Sequence, residues 1–154
     1  MARNECTVPV PADVVWDVLA DPRTYGYFVA GSKRVRTFDP DWPESGTEFR
    51  HAFGVGPLHF RDATWVVGCE PPRELRLRTG LRPFGIADVR FEIEPLDEST
   101  TRVVLEERPI RGPLARVWNP VFDRLMHARN AETLRRFTRA AARRAEVRAA
   151  GKTA

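Results

Sequence analysis

Four polar residues stand where the surrounding pattern calls for carbon. His51 lies between Phe49 and Phe53 in "TEFRHAF" (47–53), and strand alternation puts all three on one face. Asp62 shares a face with Leu58, Phe60 and Thr64 in "LHFRDATWVVGCE" (58–70). Glu107 follows Val103 and Leu105 in "TRVVLEERP" (101–109). Asn130 lies on a helical stripe with Phe122, Met126, Leu134, Phe137 and Ala141. Brought together in a dry site, an imidazole, one or two carboxylates and an amide could polarise a ketone and remove an acidic proton beside it. Burial would raise the pKa of a lone carboxyl group and suit it to that work. Each residue also has a plainer role. His51 can be a hydrogen-bonded structural histidine, and Asn130 can satisfy a strand carbonyl. Glu107 can form a buried ion pair with Arg129 or another helix arginine. A slip of one residue in parity would put Asp62, beside Arg61, into solvent.

Other chemistries find little support. His59 and His127 fall on the opposite parity or helix face and read as surface residues. No three of His51, His59, His127, Cys6 and Cys69 have metal-ligand spacing, so no metal is expected. Ser32, Ser45 and Ser99 sit in turns without a G-x-S-x-G elbow. "GVGP" (54–57) reads as a hairpin turn, because no Lys-Ser/Thr pair and no helix follows it. Cys6 and Cys69 read as reduced, buried thiols of a cytoplasmic protein. The N-terminus lacks an apolar export segment, and no apolar run reaches the ~20 residues of a membrane span.

The elements that must position these residues follow from the periodicity. "CTVPV" (6–10) reads as a first strand. Pro11 and Asp13 suit the first turn of a helix carrying Val15, Trp16, Val18 and Leu19 on one stripe. Asp21 suits the N-cap of a second short helix with Pro22 at its first position, and Gly31 ends it. The period then changes to two. Runs at 33–38, 47–53, 58–70, 74–81, 86–96 and 101–109 alternate between apolar and charged residues, with turn signals between them. From about Pro113 to about Arg148 the pattern is helical, with a kink or restart expected at Asn119-Pro120.

A single domain over residues 1–148 is predicted, with 149–154 as a fraying tail. Its fold class is α+β. A curved antiparallel seven-stranded sheet with one apolar face needs a cover, and only the C-terminal helix is long enough. A twisted sheet curling round one helix leaves a wedge between them. The two short helices between strands 1 and 2 would close one end, with Tyr25, Tyr27, Phe28 and Trp42 at the mouth.

This order, with "VPADVVWDVLADPRTYGYFVAG", "DWPESGTEF", "EPPRELRLR", "EPLDESTTRVVLEE" and "NAETLRRF", resembles the START-like helix-grip (SRPBCC) superfamily. That superfamily includes aromatic polyketide cyclases and dehydrases, Bet v 1-type allergens and coenzyme Q-binding proteins. The resemblance covers nearly the whole chain and implies a helix-grip fold with a deep apolar cavity. The ligand implied is a hydrophobic small molecule of aromatic polyketide, lipid or isoprenoid type. Candidate ligand contacts are Tyr25, Phe28, Phe49, Phe53 and Phe60 from the first half of the chain. Leu77, Thr79, Val89, Phe91, Val103 and Leu105 would come from the later strands, and Phe122, Met126 and Asn130 from the helix. His51, Glu107 and Asp62 are the catalytic candidates if the protein is an enzyme of the cyclase/dehydrase type. A non-catalytic carrier or sensor is the alternative, and no cofactor is expected under either. A nucleic-acid or membrane role ranks last. Residues 135–154 carry seven cations against Glu146, a net of +6, so the rest of the chain nets −2 of the formal +4.

Overall fold

The computed structural model of the chain describes residues 1–54, 60–81, 83–116 and 119–152. The side chains of Phe53, Leu81 and Leu114 also lie outside that description, as do the residues of the "GVGP" turn beyond Gly54, Leu58, His59 and Trp118. Seven strands form one antiparallel sheet: β1 (Ala2–Val8), β2 (Ser32–Phe38), β3 (Glu48–Phe53), β4 (Phe60–Glu70), β5 (Glu74–Leu81), β6 (Gly85–Pro95) and β7 (Thr101–Arg111). Their spatial order is β1-β7-β6-β5-β4-β3-β2. Strands β2 to β7 are therefore a simple meander, while β1 returns to pair with β7. The two strands at the edges are neighbours in sequence, so the segment joining them must cross the sheet.

That segment is α1 (Ala12–Leu19), a 3-10 turn (Pro22–Thr24) and α2 (Tyr25–Phe28). Helix α1 buries Val14, Val15, Val18 and Leu19. Trp16 is only half-buried, so the stripe is centred one residue earlier than the sequence pattern suggests. Asp21 caps the 3-10 turn by accepting from the Arg23 N–H at 3.1 Å. Strand β1 begins at Ala2 and ends at Val8, earlier than the run at 6–10 indicates. Its polar opening "ARNE" carries no apolar alternation, but pairing runs from Ala2 against Glu107 to Val8 against Thr101.

Asn119-Pro120 produces a restart rather than a kink. A short helix α3 (Pro113–Arg116) precedes it, and α4 (Pro120–Lys152) follows. The Asn119 side-chain oxygen accepts from the Phe122 N–H at 2.9 Å, and Pro120 takes the first helical position, where a missing N–H costs nothing. Helix α4 has 33 residues, about 50 Å of rod, and runs four residues past Arg148. It buries Met126, Asn130, Thr133, Leu134, Phe137 and Ala141. Phe28, Phe91 and Phe137 meet at the centre, with ring centroids 5.1 Å apart for Phe28–Phe137 and 6.4 Å for Phe91–Phe137. One core therefore joins α2, the sheet and α4.

Charge organises the outside. On the outer sheet face, Arg78 pairs with Asp88 at 2.7 Å and Arg90 with Glu74 at 2.5 Å. Each exposed pair contributes at most about 1 kcal/mol, and together they let one face of the sheet meet water. The arginine-rich end of α4 is tied to the N-terminal helices. Arg148 reaches Asp13 at 2.7 Å and Asp17 at 2.9 Å, and Arg144 reaches Asp21 at 2.9 Å. The hydrogen bond from Arg148 holds the Asp13 carboxyl below its ordinary range. Burial pushes Asp21 the other way, but hydrogen bonds from Arg23 and Arg144 win and lower it. These arginines thus serve the fold instead of facing outward as free cations.

Candidate functional site

The space between the concave sheet face and α4 is not filled. It holds a cavity of about 750 Å³ whose wall draws on six of the seven strands, α2 and α4. Strand alternation explains the lining. β3 and β4 contribute Phe49, His51, Phe60 and Thr64, and β5 contributes Leu77 and Thr79. β6 contributes Val89 and Phe91, and β7 contributes Leu105 and Glu107. Helix α4 closes the opposite side with Phe122, Met126, Arg129, Asn130 and Thr133, and Tyr25 adds a ring from α2.

Three of the four polar candidates meet here. His51 is 7% exposed, and burial pushes its imidazole below the ordinary 6.5, against an opposing pull from Asp62. It is neutral at pH 7 and able to take up a proton. Asp62, its cross-strand partner on β4, is half-buried outside the lining. A Cβ placed at Gly80 would overlap the Asp62 carboxylate, so that glycine makes room for the acid.

Glu107 is 3% exposed and is not a lone carboxyl group. Arg129 Nη1 donates to its Oε2 at 2.8 Å. The same guanidinium donates through Nε to the Ala30 carbonyl at 3.0 Å, while Thr133 Oγ1 accepts from the Ala30 N–H at 3.0 Å. Two side chains of α4 thereby hold both backbone groups of Ala30 in the α2–β2 connection, and Val29 to Ser32 line the cavity. Asn130 is 1% exposed. Its Oδ1 lies 3.4 Å from Arg129 Nη1, and its Nδ2 has no acceptor among the described residues. Glu132 also lines the cavity, but hydrogen bonds from Arg135 and Arg136 lower its pKa to about 2, so it stays ionised near neutrality. Thr64 and Thr79 satisfy each other through a 2.9 Å hydrogen bond.

The remaining candidates divide. Phe28 and Val103 are fully buried and stand behind the wall, Phe28 because it packs between Phe91 and Phe137. Phe53 ends β3, but its side chain lies outside the described residues. Of the rings assigned to the mouth, Tyr27 is 79% exposed and Trp42 is buried against Tyr25 and Phe49. Trp42 Nε1 and Tyr25 Oη both donate to the Leu19 carbonyl, at 3.3 and 2.9 Å. Burial raises the Tyr25 hydroxyl well above its ordinary value, so it remains a donor. The rim instead carries Phe84 and Leu125, 44% and 63% exposed. Arg129 and Thr133 are polar lining residues outside the sequence-derived ligand set; their i, i+4 spacing on the Asn130 side of α4 was the available signal. Among the described residues, no group of three His, Cys, Asp or Glu could hold a metal ion, and no helix is long and apolar enough to cross a membrane.

The histidine gives a pH prediction. Between the unfolded value near 6.5 and its lower folded value, His51 is protonated in the unfolded chain but not in the folded one. The unfolded state then binds more protons, so stability is full above about pH 6.5 and falls as the pH drops below it. Urea midpoints measured from pH 7.5 to 5.5 should decline in the native protein and flatten in His51→Gln. Parallel declines in the two proteins would remove His51 as the cause.

Residues 2–146 match the sequence model of a family described as "Polyketide cyclase / dehydrase and lipid transport". No curated protein is matched. Among solved structures, the Zhui aromatase/cyclase from Streptomyces sp. R1128 is similar at TM-score 0.65 and 21% identity, over 94% of each chain. The di-domain ARO/CYC StfQ from the steffimycin biosynthetic pathway is similar at TM-score 0.71 and 16% identity, over 96% of this chain and 46% of that one. A conserved protein from Geobacillus kaustophilus is similar at TM-score 0.67 and 13% identity, over 92% and 94%. Identities of this size carry the helix-grip fold and leave the activity to the site.

Proposed function

The chain belongs to the polyketide cyclase / dehydrase and lipid transport family, and from that premise we propose that its cavity receives an aromatic or polyketide-like ligand on which His51 acts as acid and base. The observation that carries this reading is the pairing of about 750 Å³ of space with an apolar wall and one neutral, buried imidazole. A site of this size suits a drug-sized molecule, and apolar walls supply affinity while the few polar groups orient it. A neutral imidazole can take a proton from a carbon beside a carbonyl and return it to a departing hydroxyl, the two transfers that cyclisation with dehydration requires.

Ion pairing of Glu107 favours a second reading. Its carboxylate is held in an ion pair by Arg129, which takes Glu107 out of the role of a free acid or base. On that reading the protein carries a hydrophobic molecule, lipid or isoprenoid included, without changing it.

Native mass spectrometry of the purified protein, with extraction of co-purifying compounds, separates the two. A retained lipid supports the carrier. Turnover of a poly-ketone that is abolished in His51→Ala supports the enzyme. Val89→Trp, which fills the cavity from β6, should reduce binding of an apolar reporter dye at least tenfold with the fold retained by circular dichroism. Undiminished dye binding in that variant would overturn both readings.

A further inference from the structure

A second hollow, of about 640 Å³, lies on the convex face of the sheet, and its described lining is Ala52 with four cations: Lys33, Arg34, Arg36 and Arg61. Strict alternation would send Lys33 and Arg34 to opposite faces of β2. Register shifts between Ser32 and Arg34 and between Val35 and Thr37 leave Lys33 and Arg36 as inserted residues, and such bulges re-aim side chains. Arg34 pairs across to Ala52, and Ala52 to Arg61, so one cross-strand row sets two guanidinium groups on either side of a methyl floor.

Elsewhere this face is neutralised. Arg50 meets Glu48 at 3.1 Å, Arg76 meets Glu74 at 3.0 Å and Arg78 meets Asp88 at 2.7 Å. Arg34, Arg36 and Arg61 make no ion pair among the described residues. Glu48 and Asp62, the acids of β3 and the near half of β4, do not line the hollow, and Asp62 accepts from the Ala63 N–H at 2.9 Å. The β3–β4 connection, 54–59, has no acidic residue in its sequence. Cations on an edge strand such as β2 also deter pairing with other chains. That role does not account for Arg61, which sits on β4, two strands in from the edge.

We propose that Lys33, Arg34, Arg36 and Arg61 form a binding site for a diphosphate group. Guanidinium forks grip phosphate oxygens in pairs, and the lysine adds a point charge. A hollow of this volume suits a molecule of nucleotide size, and cations converging on one place match closely spaced charges better than a long, evenly charged surface. The thickness of the sheet separates this site from the cavity, so it stands or falls independently of the ligand reading above.

Inorganic pyrophosphate is the probe, titrated into the full chain by calorimetry. The native protein should bind it, and affinity should fall at least threefold between about 50 and about 300 mM NaCl. Arg34→Gln with Arg61→Gln should weaken binding at least tenfold at the lower salt. Arg139→Gln with Arg143→Gln removes the same charge from exposed positions on α4 and should stay within twofold. Equal losses in the two double variants would reduce the effect to net charge and overturn the site, as would absence of pyrophosphate binding by the native protein. A peptide of three glutamates that binds as tightly as pyrophosphate would overturn it in favour of an acidic protein surface. Competition by ADP identifies a soluble diphosphate as the source, and competition only by phosphatidylcholine vesicles carrying undecaprenyl diphosphate identifies a lipid headgroup. Pyrophosphate that neither displaces would overturn the proposal, because the site would then reject an esterified diphosphate.

Discussion

Arg129→Met should lower the unfolding free energy by about 3–5 kcal/mol, more than the loss of any surface ion pair. The reason lies in the partner. Glu107 is 3% exposed on β7, one strand in from the β1 edge, so its carboxylate has given up almost all of its water. Methionine keeps the stem of Arg129 in place but leaves that charge without compensation. It also removes the donor to the Ala30 carbonyl. Glu107→Leu is a gentler change, because the Arg129 side chain is 31% exposed and its guanidinium can turn toward water. Replacing both, Arg129→Met with Glu107→Leu, should recover most of the loss, since an apolar pair of similar volume often equals a buried ion pair in stability. Urea denaturation at pH 7 of the four proteins closes the cycle. Additive losses in the double variant would mean that the pair is not coupled and that Glu107 finds another partner.

The same residues show where reading the sequence stops. Strand parity was enough to place Leu77, Val89, Phe91 and Leu105 on the concave face, because a half-buried strand repeats every two residues. Helical spacing was enough for Met126, Asn130 and Phe137. The Arg129–Glu107 pair was foreseen as one use of Glu107, because a buried carboxylate needs a cation and α4 carries many. Its second bond, to Ala30, was not legible. That bond exists because β1 and β2 occupy opposite edges of the sheet, so the connection between them must pass under α4. No local pattern around Ala30 encodes that path. Phe28, read from the sequence as a ligand contact, lies behind the wall for a similar reason. An aromatic residue on a short helix reads equally well as rim or core, and only the position of Phe137 behind it decides.

The charged end of α4 makes a related point about function. Seven cations in twenty residues invite a nucleic-acid reading. Yet Arg135 and Arg136 share Glu132, while Arg144 and Arg148 bind acids of the N-terminal helices. The net charge of the segment is real, but its geometry ties α4 to α1 over the closed end of the wedge. Charge counted along a sequence overstates what a partner would meet when the opposing acids come from a distant part of the chain.

Phe137→Ala should cost about 3–5 kcal/mol, a large share of the 5–15 kcal/mol expected for a whole domain. Phe137 is fully buried, with the Phe28 ring edge-on at 5.1 Å and the Phe91 ring stacked at 6.4 Å. The strands behind Phe91 cannot follow the lost ring, so a void remains. Met126→Ala on the same helix makes the instructive comparison. Met126 faces space that is already there, so its removal widens an existing cavity without opening a sealed one. Its cost should stay near the low end for such truncations, about 2 kcal/mol. Phe137→Ala should also loosen Phe91, which lines the cavity, and weaken binding of an apolar dye although residue 137 never touches it. Equal costs for the two truncations, measured by urea denaturation without ligand, would mean that Met126 is packed as tightly as Phe137. The space between sheet and α4 would then be filled core, and a site for a guest molecule would have no room to exist.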